Sequence, residues 1–280
     1  MRYLHTDEII KNIKEMCIEA NYKLASDVEE RVRGAIEKES SVLGKQILNQ
    51  LGENLDIAAE DSIPICQDTG MAIIFIRLGQ QVHIEGMELE DAINEGIRQG
   101  YQEGYLRKSV VSDPLLRNNT KDNTPGIIHY EIVPGDQLEI TVAPKGFGSE
   151  NMSRVYMLKP SDGEEGVKQA VLETVRLAGP NACPPIVVGV GIGGSFEKST
   201  LLSKKALARS MNQSSKLEHI RRLEEDLLKE INQLGIGPGG FGGIITALGV
   251  NIETYPTHIA GLPVAVNICC HVNRHVTRRL

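Results

Sequence analysis

The sequence predicts a mixed α/β (α+β) fold, with an N-terminal helical segment followed by sheets flanked by helices. Three observations carry that expectation. Apolar residues recur at helical spacing through about the first 60 residues. Short runs after residue 70 alternate apolar and polar side chains. Glycine-rich junctions separate the two kinds of segment.

In the helical segment, Ile9, Ile10, Ile13, Met16 and Cys17 form one apolar stripe, which makes Cys17 a core thiol. Ser26 reads as the N-cap of a second helix, with Glu29 three residues on as in a capping box. A third helical run covers about 41–59 and leads into Ile63-Pro64-Ile65-Cys66-Gln67-Asp68-Thr69-Gly70. Runs 72–78 and 82–84 are strand-like, 89–104 is helical, and a polar stretch reaches Pro125. Runs 127–133 and 138–143 alternate and are expected to pair with each other. A glycine-rich turn at 145–151 and a helix at 166–178 follow, then a buried strand at 186–190. A second glycine cluster, 189–194, reads as a tight turn opening a helix near 196–210. The run 217–234 is helical, with opposite charges at i,i+4 on a solvated face. A third glycine-rich loop, 235–243, precedes a final apolar strand at 262–270. With no repeat and no low-complexity linker, 1–280 is expected to form one domain with a helical region at about 1–60.

A chain of 280 residues can bury a substantial core, and with 4% aromatics and no Trp that core must be aliphatic. The net charge of −7 argues against a nucleic-acid-binding surface. No apolar run is long enough to span a membrane, and the charged N-terminus does not read as a signal peptide, so a cytoplasmic location is expected. Five scattered cysteines do not form a secreted disulfide framework; metal or catalytic use fits them better.

Candidate chemistry concentrates at Cys66. A soft metal ligand stands beside the Asp68 carboxylate on a Pro- and Gly-bracketed loop, which suggests metal-assisted acid/base work. Cys183 and one of Cys269 and Cys270 also occupy junctions. No CxxC occurs, so zinc-ribbon and ferredoxin spacings are absent. Spacing alone leaves two possibilities open, isolated thiols or three ligands of one cluster. The 189–194 glycines lack the acidic partner of a dinucleotide fingerprint and are not a Walker A loop. Arg107 offers a planar fork suited to carboxylates, and His258 stands on a Pro-marked loop.

Five ordered stretches then point one way: ICQDTG at 65–70, LRKSVVSDPLLRNNTKDNTP at 106–125, KGFGSENMS at 145–153, ACPPIVVGVGIGGSFEKSTLLSKKAL at 182–207 and THIAGLPVAVNICCH at 257–271. Together they resemble the alpha subunit of the iron–sulfur (class I) fumarate hydratase/L(+)-tartrate dehydratase family. The resemblance implies that Cys66, Cys183 and Cys270 ligate a [4Fe–4S] cluster with one iron open. It prefers Cys270 to Cys269 because family members carry a single cysteine just before this histidine. It also implies that Gln67, Arg107 and Gly148 contact a dicarboxylate, and that Asp68 and His258 are catalytic. In single-chain relatives a C-terminal domain supplies a threonine base, so an obligate beta subunit and a higher hetero-oligomer are expected. The expected activity is hydration of fumarate to L-malate, as in the tricarboxylic acid cycle. The alternative is dehydration of L(+)-tartrate to oxaloacetate, and a more distant one is an electron-transfer iron–sulfur protein.

Overall fold

The computed structural model describes residues 2–280 and divides them into two compact units. In chain order the elements are β1 (Arg2–His5), α1 (Thr6–Tyr22), α2 (Ser26–Lys38), α3 (Val42–Glu60), β2 (Met71–Gly79), β3 (Val82–Glu85), α4 (Leu89–Glu103), β4 (Ile127–Val133) and β5 (Leu138–Lys145). They continue with α5 (Phe147–Glu150), β6 (Arg154–Leu158), α6 (Gly163–Ala178), β7 (Ile186–Gly193), α7 (Phe196–Ala208), α8 (Glu218–Asn232), β8 (Ala247–Tyr255), β9 (Leu262–Cys269) and β10 (Val276–Arg279). The mixed α/β class is as expected. Among the described residues no helix is long and apolar enough to cross a membrane.

The first unit comprises residues 2–25, 54–147 and 274–280. Its main sheet has the order β10-β5-β2-β4, and β1 pairs with β3 in a separate parallel ribbon. Strand β2 carries the apolar run Met71–Ile76 and lies at the centre, antiparallel to β5 and parallel to β4. The two alternating runs therefore do not pair with each other. An unbroken apolar strand belongs between two neighbours, whereas β4, with exposed Tyr130, Glu131 and Ile132, remains at the edge. The turn after β4 folds over the end of β2, where Gln137 O accepts from Gly79 N–H and Val133 O from Gln80 N–H. The core joins Ile9, Ile13, Met16 and Cys17 of α1 to Ile74, Ile76, Ile140 and Tyr101. Burial pushes the Cys17 thiol up to about 12, so it stays neutral as a core residue.

The second unit comprises residues 26–53 and 148–273. Its sheet runs β6-β9-β7-β8, with β7 parallel to β8 and antiparallel to β9. Helix α2 begins at Ser26 itself, and the Glu29 carboxylate accepts from Arg33 Nε at 2.9 Å instead of closing a capping box. Glycines 189 and 191 lie inside β7 and are not a turn. A Cβ at 191 would stand 2.0 Å from Ser199 O, and one at 189 would stand 2.3 Å from Ser203 O. They are glycine because α7 packs directly on the strand backbone. Strands β1, β6, β8 and β10 were not expected. Three of them are short edges, while β8 hides its pattern behind Gly249 and Asn251. The Asn251 amide is buried and donates to Ala206 O and Arg209 O at the end of α7.

Candidate functional site

The loop between α3 and β2 is held by one main-chain and one side-chain bond at Ile65. Ile65 N–H donates to Asn21 O at 2.9 Å, and Asn54 Nδ2 donates to Ile65 O at 2.9 Å. Ile65 is thereby buried while Cys66 and Asp68 stay half-buried and Gln67 exposed. The Asp68 carboxylate is fixed at both oxygens: Oδ1 accepts from Gly70 N–H at 3.1 Å and Oδ2 from Phe147 N–H at 2.9 Å. Gly70 has φ +76°, and a Cβ there would lie 2.6 Å from the Lys145 carbonyl carbon, so only glycine fits.

The polar stretch is stitched to the same loop. The Thr69 hydroxyl donates to Arg107 O at 3.0 Å. The buried Asn123 amide donates to Gly70 O at 3.1 Å, while its oxygen accepts from Ser109 and Val110 N–H at 2.7 and 3.2 Å. Tyr101 donates its hydroxyl to the carbonyls of Thr69 and Gly70. The result is a cavity of about 420 Å³ lined by Ile63, Pro64, Cys66, Gln67, Thr69, Tyr105 and Arg107. Thiol, amide and exposed guanidinium all line it, which suits a small anion bound beside a soft ligand.

The second unit gathers a second group at one end of its sheet. Cys183 adopts a left-handed backbone, φ +53°, between a 3₁₀ turn and Pro184 at the start of β7. Val187 pairs with Cys269, which brings the entry of β7 beside the exit of β9. His271 Nδ1 lies 3.3 Å from Cys183 O, so Cys270 and Cys183 occupy the same end. Cys269 is 3% exposed and faces the core; Cys270 is half-buried. Gly148 on α5 also belongs to this end, because β6 begins opposite Val266 and Asn267 Nδ2 donates to Glu150 Oε2 at 2.9 Å.

The Cys183 turn leans on the 235–245 loop, where Gly239 N–H donates to Pro184 O at 2.8 Å. One remote carboxylate, Glu39, anchors that loop by accepting from Ser41, Ile244 and Ile245 N–H at 2.8–3.1 Å. Burial opposes its charge, but hydrogen bonds from the Ser41, Ile245, Ile244 and Ser40 backbones outweigh it and hold the carboxyl below its ordinary value.

His258 is elsewhere. Its loop is tied to the far end of β7, where the Thr257 hydroxyl donates to Gly194 O at 2.9 Å and Gly194 N–H to Pro256 O at 3.2 Å. The eight residues of β9 separate it from Cys270, a span of about 25 Å. Nδ1 of His258 accepts from Ala260 N–H at 3.1 Å, which fixes the ring within its own turn. Cys66, Gln67, Asp68 and Arg107 thus form one group and Gly148, Cys183 and Cys270 another. Among the described residues no three His, Cys, Asp or Glu side chains converge on a single metal ion. Sequence reasoning missed Glu39, Tyr101 and Asn123, whose partners are distant in the chain and leave no local pattern.

The model of the family described as fumarate hydratase (Fumerase) matches residues 10–279. The chain belongs to this family. A Methanocaldococcus jannaschii protein provisionally named L(+)-tartrate dehydratase subunit alpha is 44% identical over 274 residues, covering 96% of each chain. An Escherichia coli UTI89 protein named L(+)-tartrate dehydratase subunit alpha is 33% identical over 276 residues, covering 98% of this chain and 90% of its own. Its counterpart in strain K12 is 32% identical over 273 residues, covering 96% and 89%. As a member of the fumarate hydratase family the chain is a hydro-lyase.

Proposed function

We propose that the protein is the alpha subunit of a two-chain iron–sulfur hydro-lyase that dehydrates L(+)-tartrate to oxaloacetate. The observation that carries this is near-full-length similarity to chains named as tartrate dehydratase alpha subunits. It puts tartrate ahead of fumarate, which the sequence had placed first. Fumarate/malate remains the second reading because the family model is described as fumarate hydratase. The subunit names likewise support a beta partner.

The donor chemistry fits a [4Fe–4S] cluster. Of the five cysteines, Cys17 and Cys269 are buried in the core, whereas Cys66, Cys183 and Cys270 are accessible, and thiolates are the ligands such clusters take. These three would hold it. When bound, the cluster supplies a Lewis-acidic iron for a carboxylate and the departing hydroxyl. This chain's own residues do the rest. Arg107 grips a carboxylate through its guanidinium, and Gln67, lining the same cavity, donates its amide. Asp68, immobilised at both oxygens, gives or orients the proton with which the hydroxyl leaves as water. The carbon–oxygen bond breaks as a base from the beta partner takes the proton on the neighbouring carbon. For tartrate the enol that results tautomerises to oxaloacetate. His258, at the other end of its sheet, takes no part in this account.

The test is anaerobic purification with the beta subunit and parallel assays on L(+)-tartrate and L-malate. Tartrate turnover that is lost in air supports the proposal. Turnover of malate alone changes the substrate and keeps the chemistry. An intact cluster with neither activity sinks the dicarboxylate reading.

A further inference from the structure

We propose that Arg274 is a positioning residue for Asp68. The proposal rests on the reading above that Asp68 handles the proton. Three arginines occur in the last seven residues, and two of them behave as surface arginines do. Arg278 pairs with Glu15 at 2.7 Å and Glu19 at 2.6 Å, and Arg279 pairs with Glu139 at 2.7 Å. Arg274 is 4% exposed, and its hydrogen bonds go to neutral oxygens. Nη1 donates to Asn21 Oδ1 at 2.8 Å, Nε to Pro144 O at 3.3 Å and Nη2 to Asp68 O.

Those acceptors are the supports of the loop. Asn21 also receives Ile65 N–H through its own carbonyl, and Pro144 precedes Lys145, whose backbone lies against Gly70. One planar fork therefore ties α1, β5 and the Asp68 main chain together. The guanidinium and the Asp68 carboxylate both lie beside Gly146. A Cβ at Gly146 would stand 3.0 Å from Asp68 Oδ2 and 3.6 Å from Arg274 Nη2. With its carbonyl held by Arg274 and both carboxylate oxygens held by Gly70 and Phe147 N–H, Asp68 has one orientation available. Small misplacements of a reacting group lower turnover steeply, so the arginine acts on rate through Asp68 without touching substrate.

The experiment compares Arg274→Met, Arg274→Lys and Arg278→Gln in the anaerobic alpha–beta holoenzyme. Arg274→Met is expected to lower kcat by about a hundredfold while KM changes by less than about threefold. Deuterium uptake in peptides covering 66–70 and 146–148 rises, and the cluster absorbance is retained. Arg274→Lys restores part of kcat, and Arg278→Gln leaves it unchanged. A kcat loss in Arg274→Met no larger than in Arg278→Gln, or parental deuterium uptake in both peptides, overturns the proposal. If the methionine variant does not assemble, full kcat with unchanged uptake in Arg274→Lys overturns it equally. If the parent enzyme turns over neither substrate, the reading of Asp68 fails while deuterium uptake still decides whether Arg274 holds the loop.

Discussion

Cys66 and Cys183 both sit on a turn that leads into a buried strand, yet the chain holds them by different means. The Cys66 loop is held mostly by a web of side chains: Asn54, Tyr101, Asn123 and Arg274 reach in from other elements and bind its backbone, and the Asn21 main-chain carbonyl adds one bond. The Cys183 turn is shaped by its own backbone, with a left-handed residue, two prolines after it and main-chain contact to the glycine-rich loop. From a distance, Glu39 reaches it through that loop, and His271 Nδ1 lies 3.3 Å from Cys183 O. A side-chain web can be loosened one bond at a time while the fold persists. A backbone-shaped turn responds to changes in φ/ψ preference and to loss of the carboxylate that anchors its neighbouring loop.

The largest effect is expected at a feature both regions share. Cys66→Ala should abolish cluster assembly and activity, seen as loss of visible absorption in the anaerobic complex; an intact cluster would remove Cys66 from the ligand set. Next is Gly70→Ala, which forces a side chain into a left-handed position against the Lys145 backbone. It should destabilise the protein by about 2–4 kcal/mol in chemical denaturation. Arg107→Ala follows. Removing a charged donor to a carboxylate should raise KM by about tenfold to a hundredfold, with cluster spectrum and melting temperature unchanged. Normal dicarboxylate kinetics would take Arg107 out of the site.

The smallest effect separates the two regions most cleanly. Glu39→Gln keeps the shape but weakens the acceptor, and should lower stability by about 1–2 kcal/mol while leaving the Cys66 loop untouched. Its pH dependence has a definite sign. The folded carboxyl lies below its ordinary value, so the carboxylate contributes stability above that value and loses it as pH falls toward the folded value. The parent should therefore weaken on acidification below the usual carboxylate range, and the difference between parent and glutamine variant should narrow there. A difference that stays constant across that range would contradict the role given to Glu39.

Long apolar periodicities were legible in the sequence: α1 with its Ile9–Cys17 stripe, α4, the central strand β2, and β9 up to the cysteines. The loop bearing Cys66, Gln67 and Asp68 was legible too, because Pro and Gly bracket a dense group of polar side chains. These features depend on neighbours within a few residues of one another, and local periodicity records such neighbours directly. Tertiary packing settled the partner of each strand, since β4 and β5 match β2 as well as they match each other. It assigned Gly189 and Gly191 to close packing by α7, and it carried His258 to the end of the sheet away from Cys270. It also buried Arg274 against the Asp68 loop, more than 200 positions earlier in the chain. Contacts between residues so distant in sequence leave no periodic trace, because the chain in between can vary freely while the two ends still meet.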